Sequence, residues 1–82
     1  LPVPPEVVFE VRSPSDRDPE VLDKVGEYLN AGVAAVVVLD PDNRSARVHV
    51  TGREVVVLGP DDELSLPEWL GPFRVVVGRF FA

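Results

Sequence analysis

Eighty-two residues with a net charge of −6 make a single small domain, residues 1–82, of a size that buries only roughly 60% of its unfolded surface. The chain has no cysteine and a single histidine, His49, which excludes disulfides, thiolate metal sites and a zinc site built from histidines. The acidic balance argues against a generic basic nucleic-acid surface. Methionine is also absent, so Leu1 is read as belonging to a processed product, a fragment or a renumbered chain rather than as a translation start. Eighteen valines without isoleucine, and seven arginines against one lysine, suggest a GC-rich genome. Nine prolines fit a thermophile.

The longest apolar run, Gly32 to Leu39, has eight residues, against about 20 in a membrane-spanning helix. No basic stretch leads into an apolar one in the manner of a signal peptide. A cytoplasmic protein with no membrane partner is expected.

In chain order, Leu1 to Pro5 is proline-rich and extended. Glu6 to Arg12 alternates, with Val7, Phe9 and Val11 on one face and Val8, Glu10 and Arg12 on the other. That pattern predicts a strand with one face in the core, and it holds Glu10 on a rigid element, turned away from the main apolar face. Ser13-Pro14-Ser15-Asp16 breaks the strand. A helix follows, with Ser15 or Asp18 as N-cap and Pro19 at the first helical position. Its apolar stripe is Val21, Leu22, Val25, Tyr28 and Leu29, and Gly32 supplies a left-handed stop. Lys24 lies at the edge of that stripe, where a long side chain reaches past the core.

Val33 to Leu39 is apolar on both faces, as in a central strand covered from both sides. Asp40 to Asn43 reads as a plain turn, because it lacks the glycine and distal glutamate of a calcium loop. Arg44 to Thr51 alternates, placing Ala46, Val48 and Val50 inward and His49 outward beside Arg47, in solvent. Gly52-Arg53 turns into Glu54 to Leu58, completing a hairpin. Gly59 to Pro72 reads as loop, with Trp69 joining Leu66, Leu70 and Phe73 in a satellite apolar cluster. Phe73 to Val77 makes a last short strand. A strand–helix–strand order implies a right-handed parallel crossover. The expected fold class is α/β: a mixed β-sheet with one crossover helix plus a β-hairpin.

Glu10 precedes the end of its strand by about three residues, roughly 10 Å at ~3.3 Å per residue. Lys24 lies about six residues into the returning helix, roughly 9 Å at ~1.5 Å per residue. The two heights agree, so the carboxylate and the ammonium should meet near one edge of the sheet. The pair has two readings: a partly buried structural ion pair, or half of a magnesium-dependent phosphodiester site. In the second, the carboxylate binds the metal and the lysine orients water or stabilises charge on the phosphate.

The segments EVVFEVRSPSD and DKVGEYLNAGV and the hydrophobic strand ending in LDP resemble the Uma-type restriction endonucleases of the PD-(D/E)XK nuclease superfamily. The tail LPEWLGPFRVVVGRFFA is similar to the C-terminal end of that family. The resemblance runs over nearly the whole chain and covers only the C-terminal half of a family member, which implies half of a restriction-endonuclease-like core. It implies Glu10 as the metal-binding glutamate and Lys24 as the catalytic lysine, moved from the strand to the helix. Pro5-Glu6 stands where the family has Pro-Asp, which makes Glu6 an auxiliary candidate. Arg12, two residues after Glu10 where the superfamily more commonly has lysine, reads as a solvated strand end, with a substitute phosphate contact as the alternative that makes it another auxiliary candidate. Mg²⁺ or Mn²⁺ is the implied cofactor and DNA the implied partner. A further metal-binding aspartate and the family's first helix would lie upstream of Leu1.

The functional expectation is a metal-dependent DNA endonuclease, incomplete as this chain, since Mg²⁺ prefers six oxygens and one carboxylate with one lysine rarely holds it without other ligands. The alternative is a non-catalytic remnant with a nuclease-like fold. Such a module would oligomerise, or complement a separate N-terminal half, through an unpaired sheet edge.

Overall fold

Alternating and continuous valine runs set the framework. The computed structural model of the chain describes residues 7–13, 15–66 and 74–81. Strand β1 (Val7–Val11) is followed by helix α1 (Asp18–Asn30), then β2 (Ala35–Asp40), β3 (Ser45–Val50) and β4 (Val56–Leu58). Two short strands, β5 (Glu63–Ser65) and β6 (Arg74–Val76), and a 3-10 helix over Val77–Phe81 complete the order. The main sheet runs β1-β2-β3-β4, and β5 pairs with β6 in a second, two-stranded sheet. β1 and β2 are parallel, so α1 is the crossover. β3 and β4 add antiparallel neighbours. The mixed sheet, the single helix and the hairpin agree with the expected α/β class.

Helix α1 begins at Asp18 with Arg17 as N-cap and no side-chain capping bond, and Pro19 lies in its first turn. Neither Ser15 nor Asp18 takes the expected capping role. Asp16 instead accepts the Ser13 N–H at 2.9 Å, a bond that holds its carboxyl below the ordinary value and tightens the strand-to-helix turn. The far end follows expectation: Gly32 has φ 97°, and its N–H donates to the Leu29 carbonyl. A residue with a Cβ is strained in that conformation.

β2 divides the interior into two apolar layers. Val36 and Val38 pack under α1 with Val21, Val25 and Val33. Val37 and Leu39 pack on the opposite face with Ala46, Val48, Leu64 and Val77. The second layer depends on β5, which lies within the stretch expected to be loop. Three residues are too few for a period-2 pattern to show, and it is their antiparallel pairing with β6, with Leu64 buried, that makes them a strand. Gly78 closes this layer. Its N–H donates to the Pro60 carbonyl at 2.8 Å, and a Cβ there would stand 2.9 Å from the same oxygen.

The predicted inward face of β1 is only partly covered. Phe9 is 41% and Val11 61% exposed, because the second sheet packs beneath β2 and β3. The Phe80 ring reaches Phe9 at 5.8 Å between centroids. The apolar cluster expected around Trp69, with Leu70 and Phe73, lies outside the described residues, as does Glu6. Asp40–Asn43 is the plain turn expected: the Asp40 carboxylate accepts the Asp42 N–H and the Asn43 side-chain amide, each at 3.1 Å.

Leu64 is fully buried and joins the two sheets. Leu64→Ala is expected to lose about 2–5 kcal/mol, read as a lower urea midpoint, a large share of the stability of so small a domain.

Candidate active site

On the helix-facing side of the sheet, pairing register puts Glu10 beside Val38 and Val38 beside Arg47. One step towards the other end, Val8, Val36 and His49 form the next row. α1 crosses above both rows, starting near Arg12 and Arg47 and ending above the second. Glu10 sits at the rim of this layer, its side chain 26% exposed.

The expected meeting takes place. The Lys24 ammonium donates to Glu10 Oε1 at 3.5 Å, with 53% of the lysine side chain exposed. The second carboxylate oxygen, Oε2, accepts from the Tyr28 hydroxyl, also at 3.5 Å. Both donors come from α1, one turn apart, so a single helix face addresses both oxygens of the carboxylate. Helical spacing alone puts Tyr28 only in the apolar stripe. Its spacing of four from Lys24, on the edge nearest the strand, is the signal that could have found it.

Arg12 is directed elsewhere. Its guanidinium bonds Asp18 Oδ1 at 2.6 Å and the Asp16 carbonyl at 3.3 Å, with Asp40 at 4.0 Å. Arg47 approaches the same Asp18 oxygen at 4.0 Å. This cluster ties the start of α1 to the ends of β1 and β2.

His49 departs from expectation. It is 6% exposed rather than solvated, because it lies beside Val36 on the side of the sheet that faces α1, the face of β3 that alternation assigns to solvent. Its Nε2 has no hydrogen-bond partner among the described residues. A groove of about 410 Å³ runs beside it, lined by Gly26, Leu29, Asn30, Thr51 and Arg53 among others. Gly26 lies about 200° round the helix from Lys24, so this groove is on the opposite flank from the Glu10 pair.

Glu10 offers hard carboxylate oxygens of the kind Mg²⁺ and Mn²⁺ take. No cluster of three or more His, Cys, Asp or Glu side chains able to hold a metal occurs among the described residues. Glu10 therefore fits as one ligand of such an ion, and the described residues do not complete the set.

The model of the Uma2 family, described as "Putative restriction endonuclease", matches residues 1–77. This chain belongs to that family. A solved structure shares the fold of this Uma2 member: a "putative nuclease belonging to DUF820" from Anabaena variabilis ATCC 29413, with a TM-score of 0.78 and 21% identity. The match covers 93% of this chain and 43% of the Anabaena one, so the Uma2 chain described here spans less than half the length of that relative. No curated protein matches it in sequence. Among the described residues no helix is long and apolar enough to cross a membrane.

Burial of His49, and then the nearby Arg47 charge, both disfavour the imidazolium and lower its pKa from 6.5. The unfolded chain therefore binds a proton near pH 6.5 that the folded chain takes up only at lower pH. Across that window stability rises with pH, and it is lost as pH falls below about 6.5. The urea midpoint is expected to be lower at pH 5.5 than at pH 7.5. His49→Leu should flatten this dependence and, by removing an unsatisfied buried nitrogen, should not lower the midpoint at pH 7.5.

Proposed function

We propose that this chain supplies part of the active site of a divalent-metal-dependent DNA endonuclease, with Mg²⁺ or Mn²⁺ as the ion. Glu10 is one metal ligand and Lys24 the catalytic amine. The observation that carries this reading is the 3.5 Å approach of Lys24 to Glu10, from two elements 14 residues apart, within a restriction-endonuclease-like family. When bound, the ion polarises a phosphoryl oxygen and lowers the pKa of water. The carboxylate contributes negative oxygens and a fixed position. The exposed ammonium offers a compact, strongly hydrated charge to the scissile phosphate, which an acidic chain otherwise repels.

The long Glu10 contacts suit the reading, since catalytic hydrogen bonds are often loose before substrate binds and tighten in the complex. No arginine among the described residues bonds the Glu10 carboxylate, as a purely structural clamp would. The remaining metal ligands come from outside the described residues. Glu6 is one candidate, and a carboxylate from another segment is a second. Arg12 serves as a strut for α1 in this arrangement and reaches phosphate only by leaving Asp18.

A second reading, an association module without chemistry, is favoured by one feature. The outer edge of β1 has no neighbour among the described strands, and unpaired edges invite pairing with a second copy or a complementary chain.

Two measurements on the 82-residue chain test the proposal. Mn²⁺ titration by water-proton relaxation should reveal weak binding that Glu10→Gln reduces at least about 100-fold, the upper end for a merely supporting residue. Binding unaffected by that substitution removes Glu10 from the metal. In a plasmid-nicking assay with Mg²⁺ or Mn²⁺, the chain alone should cleave little or not at all. Strong EDTA-sensitive cleavage, lost in Glu10→Ala, overturns the incompleteness of the site.

A further inference from the structure

Glu10 ends in a carboxylate on three rotatable bonds, and an ammonium alone does not orient it: Lys24 Nζ is a point charge that either oxygen satisfies equally well. The Tyr28 hydroxyl removes that equivalence, because it meets Oε2 while Lys24 meets Oε1. The two donors also differ in how firmly they are held. Lys24 is mostly in solvent. Tyr28 packs its ring against the Val21, Val25, Val33, Val36 and Val38 cluster. Its carbonyl accepts the N–H groups of Ala31 and Val33, each at 3.1 Å, where the chain leaves the helix for β2. The ring is thus held by packing, and the backbone that carries it by the helix terminus.

We infer that Tyr28 is a positioning residue, whose hydroxyl holds the Glu10 carboxylate in the orientation that a divalent cation and Lys24 both meet. The inference rests on Glu10 being a metal ligand as proposed above. Partners that orient a ligating carboxylate support metal affinity without touching the metal, and their loss typically costs 10–100-fold. A hydroxyl that merely finds the nearest acceptor has no such effect.

Tyr28 is the only tyrosine in the chain, so growth on 3-fluorotyrosine gives the 82-residue chain a single ¹⁹F resonance at this site. Without metal, Glu10→Gln should shift that resonance, whereas Glu20→Gln, in the exposed first turn of α1, should not. An unmoved signal in Glu10→Gln overturns the contact, whatever the metal does. Tyr28→Phe keeps the ring and should melt within a few degrees of the wild type, yet bind Mn²⁺ about tenfold more weakly. Unchanged Mn²⁺ affinity in Tyr28→Phe, together with its loss in Glu10→Gln, overturns the positioning role and leaves the metal proposal standing. Absence of Mn²⁺ binding by the wild type removes the metal proposal and the positioning role toward it together. Should Tyr28→Phe not fold, the fluorotyrosine protein itself carries the test. Its more acidic hydroxyl strengthens the bond to Glu10 and should change Mn²⁺ affinity relative to the unlabelled chain, and equal affinities overturn the inference.

Discussion

Strand β2 has to be buried on both faces and bonded on both edges, and the rest of the molecule is arranged to meet that requirement. Ala35 to Leu39 are all buried. A strand so deep in apolar surroundings cannot leave its backbone N–H and C=O groups unpaired without a cost comparable to a lost hydrogen bond for each. β1 and β3 therefore flank it, one parallel and one antiparallel. Its even-numbered valines call for a helix above and its odd-numbered residues for a second layer below. α1 answers the first demand and the small β5–β6 sheet with the 3-10 helix answers the second. The site follows from this arrangement. Once β1 pairs with β2 in register, Glu10 stands beside Val38 on the face that α1 must cover, and the helix brings its own polar edge to the carboxylate.

The position of Glu10 balances two opposing needs. Deep burial of a carboxylate is costly unless every lone pair is met, whereas full exposure leaves it mobile and screened. At the rim of the sheet it keeps some access to solvent while two donors from α1 stand over it. A half-exposed ion pair of this kind contributes only about 0–1 kcal/mol, so stability alone is a weak reason to bring the chain's only lysine to this carboxylate. The shorter Arg12–Asp18 bridge anchors the start of the helix instead. The division of labour leaves the Glu10–Lys24 contact long and adjustable, and it assigns the tighter bonding to residues at the top of the helix.

Much of this was legible beforehand. Alternation in Val7 to Val11, the double-sided apolar run ending at Leu39 and the Pro19 and Gly32 signals each rest on local rules, and each became the element expected. The encounter of Glu10 with Lys24 was legible for the same reason, since strand and helix rises fix both heights. Other features were not, among them the helix cap, the exposure of Phe9 and Val11, and three residues whose surroundings are set at a distance. His49 looked solvated because alternation along β3 distinguishes two faces without saying which of them a distant helix covers. Leu64 looked like loop because its strand is three residues long. Tyr28 reads as core because its ring packs there, and only its hydroxyl reaches Glu10.

By itself, then, the order of residues determined where strands and helix begin and stop, which residues share a face, and that one carboxylate and one ammonium would lie at the same height. Those properties depend on backbone period and on neighbours within a few positions. The tertiary structure alone decided which face of β3 is sealed, that a second sheet closes the lower layer, and that a tyrosine joins the lysine on Glu10. Those outcomes depend on how far α1 extends across the sheet and on where the chain returns after β4, and no local periodicity encodes either.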